Sequence, residues 1–136
     1  MEYKELTQEE TKILVEELCM RLPYGVHVQH MRLGMQGTLH NMCVFPIYGE
    51  NDEIVRHDFT IDFFDDNEII FDGTVFRPVL IPMSEMTDEH KKELEEIKQK
   101  YSDDAILLAD NIKRFFLKNH YDDRHLLERG LAVLSL

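Results

Sequence analysis

Apolar residues recur at helical spacing close to the amino terminus of the chain. Between residues 7 and 22 they fall mainly on one side of a helical wheel, while most of the glutamates fall on the other side. Thr7 followed by Glu10 is a capping-box pattern, and Pro23-Tyr24-Gly25 is a typical stop signal. The pattern therefore predicts an amphipathic helix over 7–22.

Two further apolar stripes at helical spacing occupy the carboxyl-terminal half. They predict a helix over 88–101, which Thr87 would cap, and a helix over 103–119, which Ser102 would cap. A shorter helix near 123–129 would end at a glycine. The apolar tail that follows would add a final strand or dock on the core.

The stretch between these helical segments has a different pattern. Branched and aromatic residues dominate residues 26–77, and short turn signals punctuate them, which predicts antiparallel strands over 26–33, 38–48, 54–64 and 68–77. In the third strand, one alternating set would be buried: Val55, His57, Phe59, Ile61 and Phe63. In the second strand, the shared face would be Leu39, Cys43, Phe45 and Ile47. Pro46 predicts that this strand ends at a sheet edge or a bend.

Together these elements predict a single compact α+β domain over 1–136. We expect an N-terminal helix, an antiparallel β-meander of about four strands, and two to three C-terminal helices packed on one face. The chain has 136 residues, of which 43% are hydrophobic and 31% charged, which is typical of a globular protein. An apolar run of about 18 residues is absent, so no membrane span is expected. The amino terminus does not match a secretory signal, which favours a cytoplasmic location.

Charge is distributed unevenly along the chain. The net charge is −12, from 15 Lys and Arg against 27 Asp and Glu. Residues 49–72 contain nine acids and a single arginine, a net charge of −8. Lysine is absent between Lys12 and Lys91. Direct binding to nucleic acid needs clustered cations and is therefore disfavoured, whereas a basic protein surface would be attracted.

The acidic segment is the first candidate site. Its carboxylates would form the face of a hairpin that binds a partner protein with a basic surface, in the way that nucleic-acid phosphates do. The predicted partner-binding residues are Glu50, Asp52, Glu53, Asp58, Asp62, Asp65, Asp66 and Glu68. The alternative is a solvated hairpin whose charge only prevents edge-to-edge aggregation.

Arginines on the predicted sheet surface form a second candidate, a small-molecule site. Arginine presents a planar fork that suits phosphate or carboxylate, and a tyrosine ring can stack on a base. The candidate ligand-binding residues are Arg32, Arg56, Arg77, Tyr24 and Tyr48. The alternative for Arg56 is cross-strand pairing with the acids beside it.

The chain contains no motif that indicates an enzyme, a metal or a cofactor. The histidine spacing matches no zinc signature, and Asp65-Asp66-Asn67 lacks the register of a calcium loop. Cys19 and Cys43 stand apart from any C-x-x-C pair, and we interpret both as reduced core residues. We predict no catalytic residue and no cofactor. A metal-dependent hydrolase built from dispersed His and Asp residues is kept as a further alternative.

Three stretches give the chain a resemblance to a known family. They are LVEELCMRLPYGV (14–26), FRPVLIPMSEMTDEHKKEL (76–94) and NHYDDRHLLERGLA (119–132). In this order they resemble a family of small uncharacterised proteins encoded by phages and prophages of gut Bacteroidetes. The resemblance implies an origin in a mobile element and action in the cytoplasm of a bacterial host cell. It implies no activity, cofactor or site residue.

The leading hypothesis combines charge, motifs and resemblance. It is a non-enzymatic phage accessory protein that binds, and inhibits, a host defence protein through the acidic hairpin. The alternative is a small-molecule binding protein, a sponge for a nucleotide immune signal, which uses the arginines and tyrosines. The apolar tail or an edge strand could also support a homo-oligomer.

Overall fold

The computed structural model of the protein describes residues 5–62 and 71–135, and of residues 56–58, 62 and 71 it describes the backbone alone. The helices in these ranges are α1 (Gln8–Arg21), α2 (Asp88–Lys100) and α3 (Ala105–Lys118). The strands are β1 (His27–His30), β2 (Gln36–Thr38), β3 (Asn41–Tyr48), β4 (Ile54–Asp62), β5 (Phe71–Asp72), β6 (Phe76–Leu80) and β7 (Val133–Leu134). The predicted α+β class is confirmed: an N-terminal helix comes first, then strands, then two helices.

The first helix begins and ends where the sequence predicts. The Thr7 hydroxyl accepts a hydrogen bond from the Glu10 amide at 3.1 Å, and the Glu10 carboxylate accepts one from the Thr7 amide at 3.1 Å. After α1, a 3-10 turn ends at Gly25, whose φ of 68° lies in the left-handed region that glycine adopts without strain. Leu14 and Leu18 of α1 are fully buried, so this helix forms one side of the core.

The strands form two sheets rather than one meander. In the first sheet the order is β2–β1–β6–β7, with antiparallel pairs except for the parallel pair β6–β7. In the second sheet the order is β3–β4–β5, and both pairs are antiparallel. Because β2 and β6 occupy both edges of β1, β3 cannot join it, and β3 and β4 pair with each other.

A single strand over 68–77 is wrong in the described part of that range. The Asp72 carboxylate accepts a hydrogen bond from the Thr74 amide at 3.0 Å, which ends β5 and starts a 3-10 turn. The chain then continues as β6, with Pro78 inside the strand and opposite Val28. The proline is tolerated because β7 pairs only with the last two residues of β6, so at Pro78 the strand has a neighbour on one side.

The segment after α3 is ordered but not helical, so the predicted helix near 123–129 is wrong. The Asp122 carboxylate accepts hydrogen bonds from the amides of Leu126 at 2.8 Å and Leu127 at 2.9 Å. His125 has a φ of 57°, which a right-handed helix does not accommodate. The tail then forms β7, which is the final strand that the apolar pattern predicts as one of two outcomes.

The main core is built from α1, both sheets and the segment that precedes β7. Its fully buried members are Leu14, Leu18, Val26, Val28, Leu39, Phe59, Ile61, Phe76, Leu80, Leu126, Leu131 and Ala132. A second cluster joins α2 and α3 around Phe115 and Tyr121. In this cluster the Tyr121 hydroxyl and His90 Nδ1 are hydrogen bonded at 2.6 Å. The segment around Tyr121 therefore contacts the terminal helices as well as the first sheet.

A buried ion network ties α1 to the segment after α3. Arg21 and Glu17 are both fully buried, and Arg21 Nε donates a hydrogen bond to Glu17 at 2.7 Å. Arg21 Nη2 donates to the Tyr121 carbonyl at 2.6 Å and to Asp123 at 3.2 Å. Glu17 also accepts from Arg124 at 3.1 Å. Removal of one member leaves a buried charge without compensation, which is a costly state.

We expect Arg21→Met to destabilise the fold by about 3–5 kcal/mol, because Glu17 would then stay buried opposite Arg124 alone. Arg114→Met is the matched control, since Arg114 pairs with Asp110 at 3.1 Å on an exposed face of α3. The control should cost less than about 1 kcal/mol. Urea unfolding followed by circular dichroism measures both changes, and equal losses in the two variants would contradict the structural role of Arg21.

Candidate functional site

The hairpin formed by β3 and β4 is buried at one end and exposed at the other. Phe59 and Ile61 are each 1% exposed and belong to the core. Towards the turn, apolar side chains with exposures of 36% to 60% reach solvent: Val44, Phe45, Tyr48, Ile54 and Val55. They are five of the nine large apolar residues that are exposed within the described ranges. We call residues 44–55 the ribbon tip.

The side of β3 that faces the core is not the side that carries Cys43. Met42 and Val44 lie opposite the core residues Ile61 and Phe59, so they occupy the core side of the strand. On the face that the alternation assigns to Cys43, Phe45 and Ile47, Cys43 and Phe45 are exposed, whereas Leu39 just before the strand is buried. Residues 42–45 are all apolar, so alternation alone does not distinguish the two registers. The edge position that Pro46 predicts is confirmed among the described residues, where β3 pairs only with β4.

The turn between β3 and β4 holds three of the acidic candidates. Glu50, Asp52 and Glu53 are all exposed. The Gly49 amide donates to the Glu53 carbonyl at 2.8 Å, and the Asn51 amide donates to the Glu53 carboxylate at 2.9 Å. Asp52 has a φ of 59°, the left-handed conformation that aspartate tolerates better than most residues. Local hydrogen bonds thus brace a turn that presents three acids to solvent.

The remaining acidic candidates are less completely described. The backbones of Asp58 and Asp62 lie in β4, opposite Phe45 and Asn41. Asp65, Asp66 and Glu68 lie outside the described residues. The larger acidic face therefore stays a prediction, and the acids that the structure places are those of the turn.

One side of the ribbon tip faces the start of α1 across an open groove of about 1150 Å³. Val44 and Val55 line this groove from the hairpin, and Glu9 and Lys12 line it from the helix. The Gln8 side-chain amide donates to the Val55 carbonyl at 3.3 Å, which attaches the helix to the hairpin. The start of α1 therefore contacts one side of the ribbon tip.

The predicted arginine site is not assembled on the sheet surface. Arg77 is 1% exposed, and its guanidinium donates to the carbonyls of Thr74 at 2.7 Å, Phe76 at 2.8 Å and Gly130 at 3.2 Å. Its surface position, which the hypothesis requires, is therefore wrong: Arg77 braces backbone inside the protein. Tyr48 lies in the second sheet, whereas Arg32 and Tyr24 lie in turns on either side of β1 in the first sheet. Of Arg56 only the backbone is described.

Histidines and acids do not gather into a metal centre in the described ranges. Among residues 5–62 and 71–135, no group of three or more His, Cys, Asp or Glu side chains is placed to hold a metal ion. His90 is half-buried and bonded to Tyr121. Over the same ranges, none of the helices combines the length and apolar character that crossing a bilayer requires.

Both cysteines are exposed, so their interpretation as core residues is wrong. The Cys19 thiol donates to the Met42 sulfur at 3.6 Å. Partial burial raises the pKa of the Cys19 thiol above its ordinary value. Because the thiolate is the nucleophilic form, a raised pKa lowers the reactive fraction of Cys19 at a given pH.

The chain matches no protein-family model, no curated protein and no solved structure in comparisons with known proteins. The ribbon tip is the feature that sequence reasoning missed. Its signal is the pair of apolar positions, Tyr48 and Ile54, that flank the acidic turn and lie opposite each other in the structure. Placing these two residues on the surface requires knowing where the core ends along the hairpin.

We expect the Cys19 thiol to react at higher pH than a thiol in an unfolded chain, because its raised pKa lowers the thiolate fraction at any given pH. The measurement is the rate of iodoacetamide alkylation against pH in a Cys43→Ser variant, where Cys19 is the only thiol. The same variant unfolded in urea is the control. A folded-state midpoint at or below the unfolded one would contradict the expected shift.

Proposed function

We propose that this protein is a non-enzymatic accessory protein that binds a partner protein through the ribbon tip. The observation that supports this function is the joint exposure of apolar side chains and acids at one end of a hairpin. Contiguous apolar patches with a polar rim are typical of interaction sites. Aromatic residues such as Phe45 and Tyr48 are also enriched in protein interfaces.

The shape of the tip favours a concave binding surface on the partner. A stable interface buries roughly 800 Å² on each protein. The end of a two-stranded hairpin contacts a flat surface over only a few residues, whereas a cleft contacts both of its faces. We therefore propose a partner with an apolar cleft into which Tyr48 and Ile54 insert.

The charge of the tip favours a basic rim around that cleft. Glu50, Asp52 and Glu53 surround the end of the hairpin, and the whole chain carries a net charge of −12. Complementary charge accelerates association and selects among partners more than it adds affinity. Since exposed charges are screened by salt, this contribution falls at high ionic strength.

The specific partner that we propose is a bacterial host defence protein whose action the bound protein inhibits. The sequence resemblance to phage-encoded proteins supports a host protein as the partner. Proteins that bind nucleic acid offer clefts with basic rims, and an acidic ribbon competes for such a cleft without contacting nucleic acid itself.

Substitution of the two central apolar residues of the tip tests this function. We expect Tyr48→Ser with Ile54→Ser to abolish capture of a host protein that the unmodified protein retains from lysate, with a loss of at least about tenfold. Ile106→Ser is the matched control, since Ile106 is 82% exposed on α3 and far from the hairpin in sequence. Quantitative mass spectrometry of the retained proteins, followed by a binding constant for the purified partner, provides the measurement.

A variant with fewer acids in the turn distinguishes long-range electrostatic attraction from direct contact with the partner. Glu50→Gln with Asp52→Asn should weaken capture at about 50 mM salt and have little effect at about 500 mM, where screening already removes the attraction. Retention of the same proteins by the tip variant as by the unmodified chain would overturn the proposal. Equal losses in the tip and Ile106 variants would also overturn it.

A further inference from the structure

A pocket on the first sheet is separate from the ribbon tip. It has a volume of about 330 Å³ and lies among β1, β2, β6 and the residues that follow α3 and β7. Its lining residues are His27, Gln36, Val79, Ile81, His120 and Ser135. A volume near the lower end of the roughly 300–1,000 Å³ range of ligand sites suits a small metabolite-sized molecule.

The backbone holds His120 in a conformation that histidine seldom adopts. Its φ is 62°, in the left-handed region. The His120 amide donates to the Leu117 carbonyl at 3.3 Å, and its carbonyl accepts from the Ile81 amide at 2.9 Å. The hydrogen bond to Ile81 attaches His120 to the end of β6, so the imidazole is placed against the pocket by the fold.

Two buried nitrogens in this region have no hydrogen-bond partner within the described part of the chain. They are His120 Nδ1 and Arg21 Nη1. Arg21 is fully buried, and its other terminal nitrogen donates to the carbonyl of Tyr121, the residue next to His120. Buried polar groups without partners are rare in native proteins, and a bound molecule is one of the explanations for them.

Burial lowers the pKa of His120, and the nearby positive charges of Arg21 and His27 lower it further. The acids that face Arg21 are already engaged: Glu17 accepts from Arg21 and Arg124, and Asp123 accepts from Arg21 and from Lys113 at 2.6 Å. The lining residues from β2, β6 and the end of β7 carry no charge. Two positive groups thus act on His120, and none of the described residues that line the pocket is an acid.

We propose that this pocket binds a small organic oxyanion, a carboxylate or a phosphate monoester, whose oxygens accept hydrogen bonds from His120 and from the neighbouring polar lining. Carboxylate and phosphate oxygens are acceptors only and suit the imidazole, amide and hydroxyl donors that His120, Gln36 and Ser135 supply. A short apolar body of the ligand packs on Val79 and Ile81. A cation of the same size would meet the positive charges of Arg21 and His27, which act on His120.

Anion binding couples to protonation of His120. An anion beside the ring favours the imidazolium, so the pKa of His120 rises when the ligand binds. Between the free and the bound pKa, binding takes up a proton, and affinity therefore increases as the pH falls through that interval. In the free protein the positive charges of Arg21 and His27 oppose the protonation of His120. Glu17 and Asp123 affect this protonation only through their ion pairs with Arg21.

Butyrate, inorganic phosphate and butylammonium test the site as probes of defined charge. We expect butyrate or phosphate to shift the NMR signals of the His120 ring saturably and to raise its titration midpoint, and butylammonium to do neither. Comparison of the two anions distinguishes a carboxylate site from a phosphate site. Failure of both anions to bind at about 10 mM, or equal binding of butylammonium, would overturn the proposal.

A pair of glycine substitutions supplies the matched variants. His120→Gly removes the imidazole and relieves the left-handed backbone, so the variant is expected to fold. His125→Gly is the control, because His125 is also left-handed, with a φ of 57°, but is exposed and does not line the pocket. Anion affinity should fall at least about tenfold in the first variant and stay unchanged in the second. Equal affinity in both variants would remove His120 from the site and overturn the proposal, whatever the ribbon-tip variants show.

Discussion

The buried guanidinium of Arg21 joins the first helix to the segment that follows α3. Arg21 at the end of α1 uses Glu17, the Tyr121 carbonyl and Asp123 to fix a segment that lies about a hundred residues later in the chain. That segment has no regular secondary structure of its own, and Ile81 bonds to it on both sides, through His120 and Asp122. The second hydrophobic cluster and the pocket beside His120 both depend on where this segment lies. A buried ion pair and its hydrogen bonds therefore fix the position of a segment that has no regular secondary structure.

The ribbon tip owes its exposure to the point at which core packing stops along β4. Gly73 approaches the ring of the buried Phe59 so closely that a Cβ at this position would lie 2.1 Å from the ring. Between Phe59 and the turn, the described apolar side chains of β4 are not covered by a neighbouring element in this way and are exposed. The two strands continue there as a ribbon that the hydrogen bonds of its turn stabilise. Separation into two sheets leaves the ribbon tip, which we propose as the partner-binding surface, outside the first sheet.

The positions of the helices in this protein depend mainly on local sequence signals. The burial or exposure of individual side chains depends on contacts between residues far apart in the chain. Thr7 with Glu10 and the Thr87 cap act within a few residues, so the starts of α1 and α2 are readable from the sequence. Asp104 rather than Ser102 caps α3, an error of two residues. The burial of Arg21 and Arg77 was not predictable, because each depends on carbonyls far away in the chain or in a neighbouring turn. The exposure of Phe45 likewise depends on a register that four consecutive apolar residues do not determine.

The functions that we propose for the ribbon tip and for the pocket beside His120 depend on electrostatic interactions over different distances. At physiological salt, charges on the surface are screened over about 8 Å, so the acids of the turn influence encounter with a partner but not the interior of the first sheet. The charge of Arg21 is fully buried, and a buried charge is screened far less. A chain with a net charge of −12 repels small anions at long range, so the anion binding that we propose would depend on hydrogen bonds at contact. Added salt should therefore weaken the proposed protein interface far more than the proposed anion site, which makes the two functions separable in one sample.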